Sequence, residues 1–160
     1  MQHIRFLAMA FALTQIGSAA TANTLECLRA NISVQPVEFD QSTIDSRVVR
    51  VEVKNSMDIA LGGVWIEFEI HSDQRGAAIY TGSIRPAATI EGLLEPGETM
   101  VATDYHFMDD RALQFARDAN ALTLELSVKN AADSQMNGFI EHPRMASWSG
   151  ETTEQHCISP

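Results

Sequence analysis

Basic residues are scarce in this chain: 11 Lys+Arg stand against 21 Asp+Glu, a formal net charge of −10. Binding to nucleic acid or to an anionic membrane surface needs a clustered basic stripe, and these bases are scattered singly, so neither partner is expected. Apolar runs are short as well. The longest, residues 6–16, falls well below the roughly 20 residues of a spanning helix, so no transmembrane segment is expected. The common catalytic signatures are missing too: Gly-x-Ser-x-Gly, Walker A, Gly-x-Gly-x-x-Gly, His-Glu-x-x-His and the EF-hand loop. Thr81-Gly82-Ser83 comes nearest to a nucleophile turn but falls in a predicted strand. The adjacent carboxylates Asp109 and Asp110 are explained by capping of a helix start. No catalytic residues and no enzymatic activity are expected.

What is present begins with a leader. Residues 1–22 combine Arg5, an apolar stretch and the small residues Ala20 and Ala22 around Thr21, the pattern of a secretory signal cleaved near Ala22, with Ala20 as the competing site. The expected location is therefore periplasmic or secreted. Cys27 follows Thr24, Leu25 and Glu26 rather than small residues, so no lipid anchor is expected. Removing the leader takes Arg5 with it and makes the mature chain still more acidic, a property that keeps exported proteins soluble.

Only two cysteines occur, Cys27 and Cys157. In an oxidising compartment an even count with one possible pairing predicts a single disulfide. It would tie the two ends of the mature chain together, stabilising it by about 4–5 kcal/mol in the chain-entropy model. Redox chemistry usually places the two thiols close together, as in Cys-x-x-Cys, and this spacing is nearly the whole domain.

Between the cysteines a two-residue polarity period dominates. It predicts strands over residues 31–39, 49–54, 64–71, 77–84, 99–107, 122–129 and a short last one over 138–140. One change of period, at 109–117, predicts a single short helix with Leu113 and Ala116 on its buried face. Glu95-Pro96-Gly97-Glu98 reads as a tight turn launching the fifth strand. No repeat, low-complexity run or linker divides the chain. The expectation is an all-β fold, a sandwich of about seven strands, forming one domain over 23–160 with a C-terminal tail held by Cys157.

The run Val51-Glu52-Val53-Lys54-Asn55-Ser56, the strand at 65–70, and Leu94-Glu95-Pro96-Gly97-Glu98-Thr99 together resemble bacterial periplasmic immunoglobulin-like or fibronectin-III-like domains. There a V-x-V-x-N strand end and an L-x-PGE turn recur. The resemblance covers residues 46–130. It implies an immunoglobulin-like sandwich with no catalytic residues, a build used mostly for binding, assembly or spacer modules; the terminal cysteines depart from antibody-type domains, so no disulfide joining the two sheets is expected. The expected role is a non-enzymatic binding or assembly module for a protein or peptide, with no cofactor.

Two residue sets are candidates for function. If Val64, Ile66, Phe68 and Ile70 face the core, then Trp65, Glu67, Glu69 and His71 share the outer face, and an outward tryptophan marks a contact surface. The alternatives for Trp65 are packing under a loop or the tail, or a local inversion of register by a bulge at Gly62-Gly63. The second set, His106, Met108, His142 and Met145, pairs imidazole with thioether and suits copper, the alternative reading being a periplasmic copper-binding or copper-delivery protein; against it, the methionines fill the core and the histidines sit on the surface.

Overall fold

The computed structural model describes residues 16–84, 92–106 and 108–140. Most of these lie in six strands: β1 (Ile32–Glu38), β2 (Val48–Asn55), β3 (Leu61–Ser72), β4 (Tyr80–Ile84), β5 (Thr99–Tyr105) and β6 (Leu122–Asp133). They pair into two antiparallel sheets, β1-β2-β5 and β4-β3-β6. The all-β expectation holds at this level. The strand and helix counts do not: the described residues form six strands rather than seven, and three helices rather than one.

Alternation builds the core. Val49, Val51 and Val53 point inward from β2 while Arg50 and Lys54 point out. Val64, Ile66, Phe68 and Ile70 do the same from β3, and both sets belong to one apolar cluster with Ala102, Ile84 and Val128. The leucines of β6 are only half-buried against it.

Two bulges shape the β3–β6 pair. Gly62 is an extra residue in β3 between Leu61↔Asp133 and Gly63↔Ala132, and Lys129 is an extra residue in β6 between Trp65↔Asn130 and Ile66↔Val128. The two offset one another, so pairing beyond Ile66 returns to the register set at Leu61. The Gly62 bulge precedes Val64, so Trp65 keeps the side of β3 shared by Glu67, Glu69 and His71.

The helix α1 (Ile16–Asn31) runs through the expected cleavage position and ends directly on β1. Its last turns close the molecule beside β6 and β1. Leu28 is buried in the core and Arg29 Nε donates to the carbonyl of Val128 at 3.2 Å. The short helix α2 (Gln41–Ser46) is set by a capping box. Asp40 Oδ1 accepts the Thr43 N–H at 3.1 Å, and Thr43 Oγ1 accepts the Asp40 N–H at 3.2 Å. α3 (Asp110–Asp118) is the helix expected from the sequence: Asp109 caps it by accepting the Ala112 N–H at 2.7 Å, and Ala112, Leu113 and Ala116 are buried.

The strand expected at 138–140 is reduced to one isolated bridge, Ala132↔Gly138. A side chain replaces the ladder there. Asn130 Nδ2 donates to the carbonyl of Ile140, and its Oδ1 accepts the Ile140 N–H, each at 3.0 Å. Phe139 is thereby held in the core, its own N–H bonded to Ala131 O at 2.8 Å. Cys157, the expected partner of Cys27, lies outside the described residues, as does the leader up to residue 15. No helix among the described residues is long and apolar enough to cross a membrane.

Candidate functional site

The central strand β3 carries the candidate surface. On its outer side Trp65 and His71 are half-buried and Glu67 and Glu69 exposed, so the four residues named from the sequence do share one face. The flanking strands extend it. In register, Glu67 lies between Ser83 of β4 and Ser127 of β6, Glu69 between Thr81 and Glu125, and His71 beside Thr123.

Charge on this face is sorted into two groups. Glu67 is neutralised by Lys129, the bulge residue of β6, with Nζ 2.8 Å from Oε2. Glu69 and Glu125 stand opposite each other, a like-charge cross-strand pair that disfavours itself. Between them lies His71, its Nε2 3.2 Å from Glu69 Oε2 and 3.7 Å from Glu125 Oε2. The His71 side chain is 27% exposed, yet Nε2 itself is sealed from solvent and its orientation to the carboxylates makes no hydrogen bond. Glu69, His71 and Glu125 thus bring one ligand atom each within 4.8 Å of one another. Glu125 was not among the sequence candidates. Its outward position is legible from the alternation of β6, but its neighbour across the sheet is fixed only by the β3–β6 register.

The copper candidates are placed differently. His106 follows β5, its N–H bonded to Arg47 O at 2.8 Å, and its ring packs edge-on against Phe68 with centroids 4.6 Å apart. Tyr80 lies on a further side at 6.4 Å. Met108 is buried in the core, where a flexible thioether fills space. His142 and Met145 lie outside the described residues.

Burial holds the His106 imidazole below its usual value of 6.5, the carboxylate of Asp104 opposing this in part. Its Nε2 is buried without a hydrogen-bond partner. The unfolded chain therefore takes up this proton first as the pH falls, so the stability contributed is full above pH 6.5 and is lost on acidification from there toward the lowered folded value. In urea titrations between pH 7.5 and 5 we expect the wild-type midpoint to fall more steeply than that of His106→Leu. Superimposable slopes would show the ring to be solvated.

No family model matches the sequence, and no curated protein is similar enough to match. Among solved structures, a solution structure of a protein described as late embryogenesis abundant (LEA) is similar at 13% identity, with a TM-score of 0.42 over 76% of this chain and 77% of that one. That similarity is too low to establish a shared fold or a shared role.

Proposed function

We propose that the chain is an exported, non-enzymatic binding or assembly module of immunoglobulin-like build, presenting the outer face of the β4-β3-β6 sheet to a protein or peptide. The observation that carries this reading is the gathering of Trp65, Glu67, Glu69 and His71 on one side of the central strand, widened by Thr81, Ser83, Thr123, Glu125 and Ser127 from its neighbours. A half-buried indole beside a polar strip is the composition of a docking surface, in which an aromatic anchor supplies area and the surrounding groups supply register.

The immunoglobulin-like assignment is supported by the strand order. Three antiparallel strands in each sheet, with the first, second and fifth facing the third, fourth and sixth, is an arrangement such sandwiches use. Export is supported by the leader pattern and by where α1 packs: Leu28 and Arg29, which join it to the core and to β6, follow the proposed cleavage point at Ala22. Within this reading Cys27 bonds to Cys157 and holds the C-terminal tail, a connection suited to an oxidising compartment.

The test is placement of a photocrosslinking residue at position 123, next to His71, and at position 103, on the outer face of the other sheet. We expect a discrete protein adduct in the exported fraction of the producing cell from position 123 and none from 103. Trp65→Ala should abolish that adduct while changing unfolding free energy by less than about 1 kcal/mol. Equal labelling from both positions, or none from either, overturns the reading, and a stability loss above about 3 kcal/mol assigns Trp65 to packing instead.

A further inference from the structure

We propose that Glu69, His71 and Glu125 form a binding site for one divalent transition-metal ion of the zinc type, with at least one coordination position left to solvent.

Geometry is the first support. Zinc bonds of about 2.1 Å place tetrahedral ligand atoms about 3.4 Å apart. His71 Nε2 lies 3.2 Å from Glu69 Oε2 and 3.7 Å from Glu125 Oε2, on either side of that separation. All three ligand atoms fall within 4.8 Å of one another, so small side-chain rotations suffice to close the site.

The second support is an electrostatic and hydrogen-bonding deficit that a cation corrects. Two carboxylates stand opposite each other with only an imidazole as ion-pair partner among the described residues. The nearest ammonium on the same face, Lys129, is engaged with Glu67. The imidazole nitrogen aimed at both carboxylates is closed off from water and makes no hydrogen bond. Coordination satisfies this nitrogen as a lone-pair donor and neutralises the facing carboxylates in one step.

Rigidity is the third. The ligands lie on paired strands rather than loops, with Glu69 and His71 separated by the fully buried Ile70 and Glu125 fixed by the pairing Glu69↔Glu125. A site on such elements is positioned before its ion arrives. Ligand chemistry selects the ion. One imidazole with two carboxylates suits zinc and its borderline neighbours; calcium needs six to eight oxygen ligands, and copper(I) prefers thioether or thiolate. The site therefore differs in residues and in chemistry from the His/Met copper set.

The experiment is calorimetric titration of the untagged, chelator-stripped full chain with zinc chloride. We expect saturable uptake of one ion per chain. Affinity should fall by about 100-fold in Glu69→Gln/Glu125→Gln and likewise in His71→Ala, at or beyond what loss of an outer-shell partner costs a metal site. Glu38→Gln, on the exposed end of β1, serves as the control and should match wild type. Thermal melts without metal establish that each variant is folded, and cobalt(II) substitution should give a visible absorption band that His71→Ala lacks. Absence of saturable uptake, binding undiminished in the double variant, or a preference for calcium over zinc each overturns the proposal. No docking partner is present in this measurement, so its failure leaves the binding-module reading to its own crosslinking test.

Discussion

Asn55→Ala is expected to destabilise the fold by about 3–5 kcal/mol, read as a lower urea midpoint with an unchanged slope. Asn55 is fully buried, and its amide does the work of a small piece of backbone. Nδ2 donates to the carbonyls of Ile59 at 2.8 Å and Leu94 at 2.9 Å, while Oδ1 accepts the Met57 N–H at 2.9 Å. Alanine leaves the buried Met57 N–H and the Ile59 carbonyl without these partners; Leu94 O retains the Leu61 N–H at 3.0 Å. Each orphaned buried group costs about 1–3 kcal/mol. Asn55→Asp should lose more than Asn55→Ala, because it turns carboxylate oxygen toward two carbonyls in a site closed to water. A loss below about 1 kcal/mol for alanine would mean that water enters and replaces the amide.

The same residue explains why two short motifs were legible separately and their connection was not. Val51-Glu52-Val53-Lys54-Asn55 reads as a strand end and Leu94-Glu95-Pro96-Gly97-Glu98 as a turn, and both expectations hold. In three dimensions they form one unit: the Asn55 N–H donates to Glu98 O at 3.0 Å and the Gly97 N–H to Asn55 O at 2.7 Å. Glu98 then closes its own turn by accepting the Glu95 N–H at 2.9 Å. Local alternation reveals faces, but only pairing reveals neighbours. For that reason the outward set on β3 could be read from residues 64–71, whereas Glu125 opposite Glu69 could not.

The helices show a second limit. α3 announced itself through Asp109, the buried spacing of Ala112, Leu113 and Ala116, and Arg117 near its end. α2 is six residues long, too short for a period, and only the Asp40–Thr43 cap spacing marked it. The second half of α1 was hidden because the helix passes into β1 without Gly or Pro. Asn31 ends it by folding its Nδ2 back onto the carbonyl of Cys27 at 3.0 Å, and Ile32 begins the strand at the next residue. Arg29 in the last turn and Asn31 at the end are helix-stop signals, but with no Gly or Pro after them they run straight into the alternation of β1.

Gly62→Ala should lose about 2–3 kcal/mol, whereas Gly76→Ala should be neutral or gain a few tenths from reduced freedom of the unfolded chain. A methyl at Gly62 would sit 2.3 Å from the carbonyl oxygen of Asp133 and 3.0 Å from Met136 Sδ, while one at Gly76 meets nothing within 4 Å. The carbonyl cannot easily retreat, because the turn behind it is fixed from several directions. Asp133 O accepts the Met136 N–H at 3.0 Å, and the Asp133 N–H donates to Asn137 O at 3.1 Å. Asp133 Oδ1 also accepts the N–H groups of Gln135 at 2.8 Å and Asn137 at 2.9 Å. Met136 itself sits in the left-handed region at φ 66°, which resists further distortion. The damage should also be bounded. The bulges at Gly62 and Lys129 offset each other, so residues 63–65 and their partners 130–132 form a segment shifted by one between two stretches in common register. Hydrogen exchange should accelerate in that segment and in the turn at 133–137, while amides from Ile66 to Ile70 keep their protection. Loss of protection along the whole of β3 would show that the Gly62 bulge sets the register of the entire pair, and with it the placement of Glu69 opposite Glu125.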